Sequence, residues 1–134
     1  MRLQRLTANT DLEIKASLLI QSFSEALQEV PSGYTQFLSG LHFTLSPATE
    51  LVIVGDPEAP DAREMLALLE ENFFPDIIAL VKNPADQTDR LAALAPFTAD
   101  HTSINGKATA YVCQDYSCKI PTTDPSLLFK LLSK

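Results

Sequence analysis

The chain has 134 residues, of which 46% are hydrophobic and 20% charged, the proportions of a folded globular domain and not of a disordered or collagen-like chain. Its net charge of −7 excludes the positive field on which binding to nucleic acid or to an anionic membrane depends. A chain of this length buries roughly two-thirds of the surface its unfolded form exposes, so its two cysteines are not needed as a framework.

The first third reads as a helical hairpin. Leu12, Ala16, Leu19, Ile20, Phe23, Leu27 and Val30 recur at helical spacing and predict a helix buried along one face. Thr10 and Glu13 offer a capping box at its start, and Pro31 to Gly33 stop it. Tyr34, Phe37, Leu38, Leu41 and Leu45 repeat the pattern as far as Pro47, and the short connection makes the two helices antiparallel. Leu18, Ala26 and Phe43 widen the apolar faces, which predicts a homodimer through residues 11–45.

From Thr49 the period changes. Glu50 to Gly55 is a β-branched run closed by Asp56 and Pro57, the pattern of a buried strand entering a turn. Ala62, Met65, Leu66, Leu69 and Phe73 mark a helix that Pro60 opens and Pro75 ends, and Ile77 to Val81 form the next strand, completing a βαβ unit. A short helix is expected over 86–94, a loop over 97–107, and a hairpin of strands 108–113 and 118–121 around a four-residue loop. Asp124 and Pro125 cap a last helix with Leu127, Leu128, Leu131 and Leu132 facing inward. The fold class is therefore α/β, a helical hairpin (1–47) packed on a small β-α-β-α-β-β-α module (48–134) with a mixed sheet. That order is also the order of a minimal thioredoxin-like fold, although Asp56 to Pro60 stand where redox cysteines would be.

Residues 1–47 carry a net charge of −1 and residues 48–134 a net −6, which suits solubility or a basic partner. The longest clean apolar run, Ile77 to Val81, is far short of the ~18 residues of a membrane span. The first residues lack the apolar core of a signal peptide, so a cytoplasmic setting is expected.

Chemistry-bearing residues are few. The chain has no phosphate-binding glycine loop, nucleophile elbow or zinc-protease motif. His42 reads as a histidine flanking a core or an interface, and His101 as an exposed loop residue. Asp56 sits at the carboxyl end of the first strand, where open α/β sheets place ligand-binding residues, and equally suits a plain turn. Cys113 and Cys118 face each other across the predicted hairpin. Free thiols, a disulfide and a metal or catalytic role are the three readings open to them. Two thiols and a distant His101 give three ligands at best, where structural zinc needs four, so neither a metal nor a cofactor is expected.

Four segments carry a resemblance: Leu3 to Thr7, Leu51 to Pro57, Leu94 to Phe97, and Gly106 to Cys113 with Cys118 and Pro121 to Pro125. Together they resemble the C-terminal portion of the thioredoxin-domain-containing chains related to spermatogenesis-associated protein 20. The resemblance implies a parent with an N-terminal thioredoxin-like domain and a helical toroid similar to six-hairpin glycosidases and sugar epimerases. Residues 1–47 would end the toroid and 48–134 would close the chain. Only the cysteine pair and the cap from Thr122 to Pro125 match the tail motif, and no catalytic residue carries over. The expectation is a non-catalytic accessory module, not an enzyme by itself, whose partner is the rest of its own longer chain. The alternative is a thiol-disulfide redox or sensing element using Cys113 and Cys118.

Overall fold

The computed structural model describes residues 2–114 and 117–133, and the chain divides into two compact units, Met1–Pro47 and Ala48–Lys134. The first unit is helical. It opens with α1 (Arg2–Thr7), which the periodicity did not announce, and continues with α2 (Thr10–Glu29), a 3-10 turn over Pro31–Tyr34 and α3 (Thr35–Leu45). The cap of α2 is Asn9 and not the expected Thr10. Its side chain accepts from the amides of Asp11 at 2.9 Å and Leu12 at 3.3 Å, because its extended backbone points the carbonyl at the first turn. Phe23 packs on Tyr34 and Phe37, with ring centroids 5.9 and 5.4 Å apart, and so ties the two long helices together. The predicted stripe is only partly covered, since Leu19, Val30 and Leu45 are exposed. Phe43 is buried, with the Arg2 guanidinium 5.0 Å from its ring centre.

The second unit is built around β1 (Thr49–Val54), whose residues from Glu50 onward are all buried. It pairs in parallel with β2 (Ile77–Lys82) and antiparallel with β3 (Thr109–Gln114), which in turn pairs with the short β4 (Ser117–Cys118). The sheet order is β2-β1-β3-β4. Helix α4 (Pro60–Glu71) makes the crossover between β1 and β2, while α5 (Arg90–Leu94) and α6 (Pro125–Leu132) complete the expected β-α-β-α-β-β-α order. Asp115 and Tyr116, the middle of the predicted hairpin loop, lie outside the described residues.

Strand alternation sorts the side chains into two faces. Leu51, Ile53, Ala110 and Val112 meet Ala62 and Met65 of α4 and Leu128 and Leu132 of α6 in the main core. Leu127, expected to face inward, is 45% exposed because it falls off this stripe. The opposite face carries Glu50, Val52, Val54, Tyr111, Cys113 and Lys82, and the stretch from Thr98 to His101 lies over it. Gly55 is required where β1 ends, because a Cβ there would stand 3.1 Å from the Ala108 Cβ and 3.2 Å from its Cα.

The Thr122 to Pro125 segment does two jobs. The Thr122 backbone exchanges hydrogen bonds with Ala110, at 3.0 and 2.8 Å, fastening the return stretch to β3. Asp124 then caps α6 by accepting from the Ser126 amide at 2.8 Å, with Pro125 at the first helical position.

Candidate functional site

Three elements of the second unit converge on one spot. Cys113 and Cys118 are direct cross-strand partners in β3 and β4, and a disulfide joins them, so of the three readings the spacing left open the structure takes the second. The two sulfurs differ in access: Cys113 is 1% exposed, whereas Cys118 is exposed. His101 arrives from the loop after a 3-10 turn at Pro96–Thr98 and places Nε2 3.7 Å from the Cys118 sulfur. The expectation of a distant, solvent-exposed His101 is thus overturned. The residue is 8% exposed.

Ring packing accounts for that burial. The imidazole lies nearly parallel to Tyr111, with centroids 4.2 Å apart, and meets Phe97 edge-on at 6.3 Å. The Tyr111 hydroxyl donates to the Thr102 carbonyl at 2.8 Å and accepts from the Thr102 amide at 3.3 Å, which holds the loop against the strand. Beyond the weak contact to sulfur the ring is poorly satisfied, since Nδ1 is buried with no hydrogen-bond partner among the described residues. Burial lowers the His101 pKa below its ordinary 6.5, and the charge of Lys82 lowers it further, against an opposing pull from Asp100.

A depressed pKa means that the folded state disfavours the protonated ring. The associated stability is fully present above pH 6.5 and is lost as pH falls through the lower folded value. With the disulfide intact, the urea midpoint is expected to decline as the solution is acidified below pH 6.5, and His101→Phe should flatten that decline. Identical pH profiles for the two proteins would contradict the assignment.

Lys82, at the carboxyl end of β2, reaches across the same face. Its Nζ donates to the carbonyls of Thr98 and Ala99 at 2.8 and 3.0 Å and pairs with Asp89 at 3.2 Å. Val54, Lys82, Asp86, Asp89, His101 and Ser103 help to line a cleft of about 340 Å³ at the carboxyl ends of the parallel strands, the usual ligand position in such sheets. Asp56 is not among its lining residues. The Asp56 carboxylate accepts from the Glu58 amide at 3.0 Å, a turn contact. His42 is exposed in the first unit, its Nδ1 3.4 Å from the Ser46 hydroxyl.

Sequence reasoning passed over three residues. Lys82 carried a readable signal, a charge ending an apolar strand. Glu50 did not: it is 1% exposed and is the cross-strand partner of Cys113. Asp61 accepts from the amides of Ala108 at 2.7 Å and Ala62 at 3.0 Å, and the first of these bonds does most to lower its pKa.

These residues define a small mixed-sheet α/β module with a disulfide and an imidazole at one corner. In sequence the chain is similar to spermatogenesis-associated protein 20 of Rattus norvegicus and of Homo sapiens, each 29% identical over 132 residues, and to that of Mus musculus at 28%. The match covers 98% of this chain, which spans only 17% of the length of these relatives, consistent with a C-terminal portion of proteins of this kind. No family model matches the chain. No solved structure matches it either. Among the described residues, no helix is long and apolar enough to cross a membrane.

Proposed function

We propose that this chain serves as a non-catalytic accessory module of a longer, thioredoxin-domain-containing protein, in which residues 1–47 end a helical toroid of the six-hairpin glycosidase-like kind and residues 48–134 form the closing α/β unit. The observation that carries the reading is the lopsided match, nearly all of this chain against 17% of its relatives. Ile14, Leu18 and Leu19, each more than half exposed on α2, support a partner surface supplied by the rest of such a chain. The expected setting is the cytoplasm. Incubation of the chain with glycosides, free sugars and small disulfides should give no turnover. Reproducible turnover abolished by Asp56→Ala would overturn the reading.

A second reading is favoured by the disulfide itself. Here the Cys113–Cys118 pair acts as a thiol-disulfide element, oxidised or reduced according to its surroundings. The exposed Cys118 sulfur beside His101 Nε2 supports it, because exchange requires access to one sulfur of the disulfide, and after reduction the imidazole stands where it can accept the Cys118 thiol proton. Alkylation followed by intact-mass measurement should find no free thiol after mild oxidant and two after a dithiol. Two free thiols in both states would remove the switch.

A further inference from the structure

We infer that the reduced form of this hairpin is a metal site, in which the thiolates of Cys113 and Cys118 and the Nε2 of His101 bind one zinc ion. The inference rests on the second reading above, because the cysteines are available as ligands only after the disulfide opens.

The geometry is close to what such a site needs. The two sulfurs and one imidazole nitrogen lie within 4.8 Å of one another. Zinc takes sulfur at about 2.3 Å and nitrogen at about 2.0–2.1 Å in a tetrahedral array, so its ligand atoms stand roughly 3.5–3.8 Å apart. Nε2 is already 3.7 Å from the Cys118 sulfur. The sulfurs must separate from their bonded distance, and cleavage of the S–S bond permits that by side-chain rotation, since cross-strand partners project to the same side of the ladder.

The surroundings point the same way. The imidazole is held in place by Tyr111 on its face and Phe97 at its edge, which is the orientation that a ligating ring otherwise obtains from outer hydrogen bonds. Neither ring nitrogen has an oxygen or nitrogen partner among the described residues, and Nε2 faces only sulfur. A metal ion would use a buried nitrogen that the protein leaves almost unused. Cys113 and His101 are buried while Cys118 is exposed, so the fourth position opens to water, as in sites with three protein ligands. Two thiolates balance the charge of a divalent ion, and soft sulfur donors select zinc over magnesium or calcium.

The chemistry balances in two steps. A dithiol reductant gives two electrons and two protons to the Cys113–Cys118 bond, which breaks to two thiols as the reductant closes to its own disulfide. Zinc then forms two bonds to sulfur and one to nitrogen, and two protons leave to solvent. The oxidised hairpin offers no thiolate, so disulfide and metal exclude each other.

Cobalt(II) is the spectroscopic probe. The chain is reduced with a phosphine or a dithiol, freed of reductant without air, its thiols counted by alkylation and mass, and then titrated with cobalt and competed with zinc. One equivalent should bind to the reduced chain, with thiolate charge-transfer bands that zinc abolishes, and none to the oxidised chain. His101→Phe, which keeps a ring against Tyr111, should weaken binding on the order of a hundredfold. His101→Cys should retain binding with stronger charge-transfer absorption, which a merely structural role for His101 would not produce. Failure of a dithiol to release two thiols would sink both the switch and the metal site. Two thiols without cobalt uptake, or uptake indifferent to His101→Phe, would overturn the metal site and leave the switch standing.

Discussion

Leu51→Ala is expected to cost about 2–5 kcal/mol of folding stability, a large share of the ~5–15 kcal/mol that holds a typical domain together. Leu51 is fully buried at the centre of β1, with Ala79 of β2 and Val112 of β3 as its register partners. It faces the core that Met65 of α4 and Leu128 of α6 close from the other side. Truncation removes apolar contacts and leaves a cavity that strands bonded on both edges cannot collapse to fill. Leu45→Ala provides the control, since Leu45 is 77% exposed and its loss should change stability by no more than about 0.5 kcal/mol. Urea unfolding of the two variants measures the difference. Equal effects would mean that β1 is not the centre of this unit.

The same strand shows what could be read in advance and why. Leu51 to Val54 was legible because a fully buried strand is an uninterrupted apolar run, and Ile77 to Val81 was found by the same pattern, although β2 lies at the sheet edge and leaves Ala79 and Val81 exposed, not buried as the run suggests. The start of α6 was legible because Asp124 and Pro125 are a local signal that needs no tertiary knowledge. The cap of α2 was misread by one residue because Asn9 and Thr10 both suit the role and only the backbone angles separate them. Short α1 has too few residues for its period to be visible.

The candidate site was legible only in part, for a different reason. Cys113 and Cys118 could be placed opposite each other on spacing alone, since a short hairpin puts its flanking residues face to face, but spacing does not decide between free thiols and the disulfide that the structure shows. His101 could not be placed, because what buries it is Tyr111, ten residues along the chain on a strand whose face is set by its register with β1. A loop histidine flanked by Asp100 and Thr102 has a polar local pattern and reads as exposed. Glu50 was hidden by the same cause in reverse. A charge at the start of a strand ordinarily marks its exposed end, whereas this one is covered on both sides of the ladder, by β2 and β3.

Burial of one sulfur and exposure of the other leads to the second large expected effect, a difference on the order of tenfold or more in reactivity between the two cysteines. An external thiolate can reach Cys118, so the mixed disulfide forms there and Cys113 is the leaving group. Cys113 is 1% exposed and has the buried Glu50 as its cross-strand partner. A thiolate left in that position is poorly solvated, and it sits where it can attack the mixed disulfide again at once. Monothiols such as glutathione should therefore leave the hairpin largely oxidised, whereas a dithiol, which resolves the mixed disulfide within one molecule, should reduce it. The bond closes a loop of only six residues and stabilises the fold by about 2 kcal/mol in the chain-entropy account, so the module should remain folded after reduction. Intact-mass measurement on single-cysteine variants exposed to glutathione disulfide separates the two sulfurs: in Cys113→Ser the Cys118 thiolate should take up one glutathione as a mixed disulfide and release the other as thiol, and Cys118→Ser should leave Cys113 unmodified over the same time. Equal modification of both would mean that Cys113 is open to solvent and that exchange has no preferred direction.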